Sequence, residues 1–221
     1  MSDSANEALR LRLDLMTVQD ITAAVQLYQQ SFAAAPWGEA YADAEIVARY
    51  LSHYAQPLYD AWPLVRSLEI DVIPPRYVLD PQSSEMVVDP NSLPQVHRQE
   101  SDIPAGDISA AQAASHNYSG LLPFFAFVAR VDGQLVALCC ASLKPWMEGM
   151  QATLDEFCVA PAYQGRGVGR AFLQGIELLL QERGVNAMIT TTDPQYQGGH
   201  FYHKCGYMPM PRQATLAKVL S

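Results

Sequence analysis

Two adjacent carboxylates, Asp155 and Glu156, sit in an apolar run that ends at Pro161, and glycines follow at 165, 167 and 169. A carboxylate partly removed from water has its pKa raised towards values useful for proton transfer at neutral pH. The glycines stand directly ahead of the periodic apolar segment Val168 to Arg183. A helix start leaves backbone N–H groups unpaired, and its dipole adds partial positive charge there. Glycine lets an anion approach those amides where a Cβ would hold it off. Strand, glycine loop and helix together form an anion cradle that needs no lysine.

The chain around this stretch reads as alternating strands and helices. Residues 10 to 16 alternate polar and apolar with the period of a half-buried strand. Thr17 and Asp20 form a capping-box-like start for a helix of about 16 residues with Ile21, Val25, Tyr28 and Phe32 on one face. Pro36 ends it, and Ile46, Val47, Tyr50 and Leu51 mark a second helix. Residues 57–118 hold many prolines and few basic residues and read as an acidic insertion. Within it, Arg76 to Leu79 and Met86 to Val88 fit short strands and 108–114 a short helix. It is either a passive flap or a lid over an acceptor pocket.

From Pro123 onward, two β-rich runs flank Asp132-Gly133, a hairpin signal because both turn positions need positive φ. A strand over 152–159 precedes the glycine loop, a helix with Val168, Phe172, Ile176 and Leu179 follows, and Gly184 is placed to end it. The next strand, 186–192, must run parallel to the strand before the helix, since a connection of that length is a crossover. An α/β core follows, with the glycine loop at the carboxyl end of a strand, where ligands of such sheets bind.

Gln164, Gly167 and Gly169 spell Q-x-x-G-x-G, and Val159-Ala160-Pro161 precedes them as V-x-P. Phe201 to Tyr207, FYHKCGY, follows as F-Y-x-K-x-G with an aromatic close. In these two ordered motifs the chain resembles the GCN5-related N-acetyltransferases, the GNAT family. The dinucleotide fingerprint G-x-G-x-x-G fails because Arg170 occupies its last position, and no G-K-[ST] loop is present. The resemblance implies a single domain over 1–221. Its expected architecture is a mixed central sheet of about six or seven strands, helices on both faces, the Pro-rich insertion at 57–118, and, after a short helix capped by Gly206, a final strand pair from Tyr207 to Leu220.

The resemblance also implies a cofactor and site residues. Acetyl-CoA is the acyl donor, held by Gln164, Gly165, Arg166, Gly167, Val168, Gly169 and Arg170. Gln195 stands where relatives often place an asparagine beside the CoA arm. The backbone N–H of Val159, or its neighbour, is the expected donor to the thioester oxygen. Glu156 is the expected base or proton relay, Asp155 the reserve, and Tyr202 the acid for the departing thiolate. Glu156 could instead only bind the acceptor's ammonium group. Strand alternation puts Glu156 and Cys158 on one face and Asp155 on the other unless a bulge reverses it. Trp37, Glu39 and Tyr41 border the expected acceptor pocket, or Trp37 packs on the core and Glu39 is solvated.

Composition narrows the partners. With 14 basic and 23 acidic residues the formal charge is −9, which argues against nucleic acid and suits a cationic small-molecule amine. The four cysteines include an adjacent pair and lie mostly in apolar runs, so they read as buried thiols of a reducing, cytoplasmic compartment. No apolar stretch reaches the roughly 20 residues of a membrane helix. His200 and His203 lack a third ligand at metal-binding spacing, so no metal is expected. The expected activity is direct acetyl transfer to a small amine, with homodimer formation left open. Protein or peptide N-acetylation and a silent acyl-CoA-binding module are the alternatives.

Overall fold

The computed structural model describes residues 9–34, 38, 41, 43–55, 68–74, 76–79, 86–89, 92, 94–98, 124–182, 184–211, 215 and 218. Contacts divide the chain into a unit from Met1 to Thr191 and a second from Thr192 to Ser221.

The first unit is built on a seven-stranded sheet in the order β5-β2-β1-β6-β7-β8-β9. Its strands are β1 (Leu9–Leu15), β2 (Leu68–Val72), β5 (Gln95–Arg98), β6 (Phe124–Val131), β7 (Gln134–Trp146), β8 (Gly149–Val159) and β9 (Val185–Thr190). Every pairing is antiparallel except β8 with β9, joined through helix α3 (Val168–Gln181). The mixed sheet and its crossover are the α/β architecture expected. Two of its strands, β2 and β5, come from within 57–118. In β2 the alternation is complete, with Leu68, Ile70 and Val72 buried. The two short strands expected in the insertion are present as β3 (Tyr77–Leu79) and β4 (Met86–Val88), and they pair with each other apart from the main sheet. The helix anticipated at 108–114 lies outside the described residues.

Helices cover both faces of the sheet. On one face α1 (Ile21–Ala33) and α2 (Ala44–Ser52) bury Val25, Leu27, Tyr28, Val47 and Leu51 against Ala126, Val128, Leu138, Cys140 and Cys158. On the other, α3 lays Phe172 on Phe157 and crosses β1 and β2 at Gly175. A Cβ at Gly175 would lie 2.6 Å from Ile70 Cδ1 and 2.9 Å from Leu13 Cδ1, so a larger residue there would have to push those side-chain ends aside.

Local signals set the ends of these elements. Thr17 and Asp20 form the expected capping box, with Thr17 N–H donating to Asp20 Oδ2 at 2.8 Å. The box opens a short 3-10 turn that leads into α1. Asp43 caps α2 by accepting from the N–H groups of Glu45 and Ile46. Asp132 (φ 49°) and Gly133 (φ 78°) form the β6–β7 turn.

The second unit contains α4 (Gln197–Lys204), followed by Gly206 in the left-handed conformation (φ 92°). The final strand pair expected from Tyr207 falls largely outside the described residues, and the described stretch 207–211 is not a strand.

Candidate active site

The glycine loop has the geometry of an anion cradle. Gly165 (φ 69°) and Gly167 (φ 86°) both adopt a backbone that side chains disfavour, and open space surrounds the Cβ position of Gly165. Gly167 is the N-cap of α3, and its carbonyl accepts the first helical bond, from Ala171 N–H at 3.0 Å. The amides of Val168, Gly169 and Arg170 thus precede the first intrahelical partner. Nε and Nη1 of Arg170, in the same first turn, are buried and have no hydrogen-bond partner among the described residues. Buried guanidinium donors without an acceptor cost free energy that an anion would recover. Arg166 is exposed, with its guanidinium 5.4 Å from the centre of the Tyr163 ring. Gln164 does not face the cradle alone: its Nε2 donates to Val159 O at 2.9 Å and ties the loop to the strand end.

The second feature is a gap between β8 and β9. Their parallel pairing runs from Met150 with Val185 to Leu154 with Thr190 and stops there, while β8 continues to Val159. Thr190 Oγ1 donates to Leu154 O at 3.3 Å and closes the apex. On its other side β8 stays paired with β7 as far as Ala137 with Val159. Ala160 N–H bonds to Val136 O at 2.8 Å, which makes 136 and 160 a hydrogen-bonded pair. Because such pairs alternate, Val159 directs its own N–H away from β7 and into the gap.

Third, the two carboxylates are brought to one side. Cys140 pairs with Glu156 and Ala141 with Leu154, so Asp155 is the extra residue of a bulge. Strict alternation therefore fails at Asp155. Both carboxylates meet tyrosines of one helix and its C-terminal turn. Tyr50 donates to Glu156 Oε1 at 2.9 Å, Tyr54 donates to Asp155 Oδ2 at 3.3 Å, and the two hydroxyls are 3.4 Å apart. Tyr28 and Tyr41 join the cluster, their rings 5.2 Å apart, and Tyr28 lies 6.5 Å from Tyr50. Tyr54 also packs edge-on against Phe124.

The electrostatics follow from this packing. Loss of water and the neighbouring Glu156 charge push the Tyr28 phenol far above its ordinary value. Loss of water and hydrogen bonds to Tyr54 and Glu156 do the same to Tyr50. The Tyr54 phenol is pushed up to about 12, chiefly by burial. Partial desolvation raises the Asp155 carboxyl, against hydrogen bonds from Ser142 and Tyr54. Beneath them Cys158 is buried, its thiol pushed up to about 12 by lost hydration.

Of the residues anticipated from sequence, Glu156, Asp155, Tyr41, Val159 and the loop from Gln164 to Arg170 all lie in the first unit. Trp37 and Glu39 lie outside the described residues. In the second unit Tyr202 is the buried residue of α4, its ring 5.2 Å from that of Tyr207. Gln195 is exposed, with its N–H on Asp193 Oδ1 at 2.8 Å. In the sequence Tyr28 and Tyr50 stand out only as members of apolar helix faces, and nothing there singles out Tyr54. Tyrosines at i and i+4, their rings 5.5 Å apart, on a face otherwise aliphatic were the available signal. His200 and His203 are exposed, and no group of three potential ligands among the described residues is arranged to hold a metal ion.

A strand that parts from its parallel neighbour beside a helix-start anion cradle is an architecture for binding an extended, phosphate-bearing ligand. Residues 95–207, about half of the chain, match the profile of the acetyltransferase (GNAT) family. The chain belongs to this family and is an N-acetyltransferase. No curated protein is similar enough in sequence to count as a relative.

Solved structures share the fold at low identity. One is a possible acetyltransferase from Clostridium difficile 630 (TM-score 0.56, 9% identity, covering 96% of this chain and 99% of that one). A second is the ribosomal-protein-alanine N-acetyltransferase of Brucella melitensis biovar Abortus 2308 (0.52, 12%, 95% and 99%). A third is the aminoglycoside N-acetyltransferase AAC(6')-Iy, solved with CoA (0.51, 13%, 94% and 94%).

Proposed function

We propose that this enzyme transfers acetyl directly from acetyl-CoA to an amine of a small cationic molecule. The observation that carries the reading is the bulge that turns Glu156 and Asp155 together towards Tyr50 of α2 and Tyr54 of the turn after it, beside the gap into which Val159 directs its N–H. Acetyl-CoA supplies a thioester whose carbonyl carbon accepts the amine. Its pyrophosphate suits the left-handed glycines at 165 and 167, the amides of Val168, Gly169 and Arg170, and the unpartnered Arg170 guanidinium nitrogens.

The chain's own groups divide the work. An alkylammonium with a pKa near ~10.4 must lose a proton before it can attack, and Glu156 takes it. The Val159 N–H meets negative charge developing on the thioester oxygen, a contribution of roughly 3–4 kcal/mol for donors of this kind. Tyr202 returns a proton to the departing thiolate, on the strength of its place in the second motif. Asp155 adds negative charge for a cationic acceptor and is the second choice as base. Tyr41, with Trp37 and Glu39, contributes to acceptor binding. Cys158 is a poor nucleophile because burial keeps its thiol protonated at neutral pH, which favours direct transfer over an acyl-enzyme.

The formal charge of −9 supports a cationic acceptor and a protein that binds no nucleic acid. A reducing cytoplasm suits four free cysteines, three of them buried. The test is a screen with free-thiol detection across spermidine, kanamycin, lysine and a short peptide, paired with calorimetric titration of acetyl-CoA. Thiol release with spermidine or kanamycin supports the reading. Release with the peptide alone assigns the enzyme to peptide acetylation, and acetyl-CoA binding without release on any amine leaves a binding module.

A further inference from the structure

We propose that Tyr50 and Tyr54 form a proton relay that carries the proton taken up by Glu156 to Asp155 at the protein surface. The proposal rests on the reading of Glu156 as the base. Four oxygens lie in sequence: Glu156 Oε1, Tyr50 Oη at 2.9 Å, Tyr54 Oη at a further 3.4 Å, and Asp155 Oδ2 at 3.3 Å beyond that. The two ends differ in exposure, Glu156 being partly covered and Asp155 exposed. The bulge makes the chain possible, since alternation would have put Asp155 on the opposite face.

A base between tyrosine rings and a bound acceptor has a disposal problem. Once it holds a proton it must lose it before the next turnover, and the acceptor covers the direct route to water. In the resting arrangement each phenol donates to its own carboxylate, Tyr50 to Glu156 and Tyr54 to Asp155. Protonation of Glu156 turns it from acceptor to donor, and the Tyr50 O–H then swings to the Tyr54 oxygen, pulled by the remaining negative charge on Asp155.

The step balances as a concerted shift of three protons by one place each. Glu156 O–H gives its proton to Tyr50 Oη, Tyr50 gives its own to Tyr54 Oη, and Tyr54 gives its own to Asp155 Oδ2. Glu156 is again a carboxylate, both phenols are again neutral, and Asp155 carries the proton that it releases to water or buffer. No phenolate forms on the way, in keeping with the raised phenols of Tyr50 and Tyr54. The two longer separations exceed the ~2.7–2.8 Å of a settled O–H···O bond, and such catalytic contacts tighten when substrate is bound.

Among the described residues, the other titratable groups near the chain are Tyr28 on α1, Tyr41 ahead of α2, Cys139 and Cys140 on β7 and Cys158 on β8. Burial holds the protons of Tyr28, Cys139, Cys140 and Cys158, so these groups do not compete for the transferred one. Tyr50 and Tyr54 act through Glu156 and are positioning residues of the reaction.

The test is Tyr54→Phe, which keeps the ring against Phe124 and Tyr50 and removes only the hydroxyl that joins Tyr50 to Asp155. With spermidine, or whichever amine of the screen turns over fastest, kcat at low buffer should fall about tenfold with KM within twofold. Added imidazole should restore it in the variant and leave the wild type unchanged, and the solvent deuterium isotope effect on kcat should grow in the variant alone. An unchanged kcat overturns the relay, and so does a fall that imidazole does not restore, which marks a packing role. Glu156→Gln run alongside separates the two claims. If it is inactive while Tyr54→Phe behaves as wild type, only the relay falls, and if it is fully active the base reading falls with it.

Discussion

At the scale of single residues, the site is set by which atoms a few side chains can reach. Glu156→Gln keeps the shape and the contact with Tyr50 but removes the base, so kcat should fall by about 10²–10⁴. The rise of rate with pH should flatten, and a pH profile on the best acceptor checks both. Tyr202→Phe should lower kcat while the acetyl-CoA dissociation constant stays within twofold, since the phenol is asked to act only as the thiolate leaves. Rapid-quench turnover together with calorimetry measures the two, and equal turnover removes the acid role. Gly167→Ala forces a Cβ into a φ of 86° at the N-cap of α3. At ~1–2 kcal/mol for a left-handed non-glycine residue, acetyl-CoA binding should weaken about tenfold.

At the scale of elements, α1 depends on the box that starts it. Burial acts to raise the Asp20 carboxyl, but its hydrogen bonds with Thr17 and the Arg130 guanidinium outweigh this and hold its pKa below the ordinary carboxylate value. A carboxylate whose folded pKa is depressed stabilises the fold above its unfolded pKa, and the contribution is lost as pH falls through the folded value. Asp20→Asn should therefore cost about 1–2 kcal/mol at pH 7. The gap to wild type should narrow below about pH 4, and urea midpoints at pH 7 and pH 3 read the difference.

That box, the Asp132-Gly133 turn, the glycine-capped α3 and the crossover to β9 were all legible in sequence because each is a local signal in consecutive residues. The strands β2 and β5 were not anticipated, since five and four residues among prolines give little period to read. The bulge at Asp155 was foreseen only as a possibility, because register depends on the partner strand, which β8's own residues do not state. The tyrosine cluster needed α1, α2 and β8 placed together before its hydroxyls could be matched to carboxylates.

At the scale of the molecule, a formal charge of −9 sets a field that draws cations in before any contact forms. The screening length is about 8 Å at physiological salt and about 3 Å at 1 M. KM for spermidine should therefore rise severalfold as salt increases, with kcat little changed. A flat KM in a salt series would show that acceptor capture owes nothing to the field.

The parting of β8 from β9 beyond Leu154 and Thr190 also has a consequence for amide hydrogen exchange. Along the last residues of β8, N–H groups turned to β7 sit in a ladder, as Ala160 does with Val136, whereas that of Val159 looks into the gap. Protection should therefore alternate from one residue to the next on a single strand. The Val159 amide should exchange much faster than that of Ala160 in the free protein and slow sharply when an acyl-CoA fills the gap. One backbone proton would then report occupancy of the donor site, before any acceptor has been found.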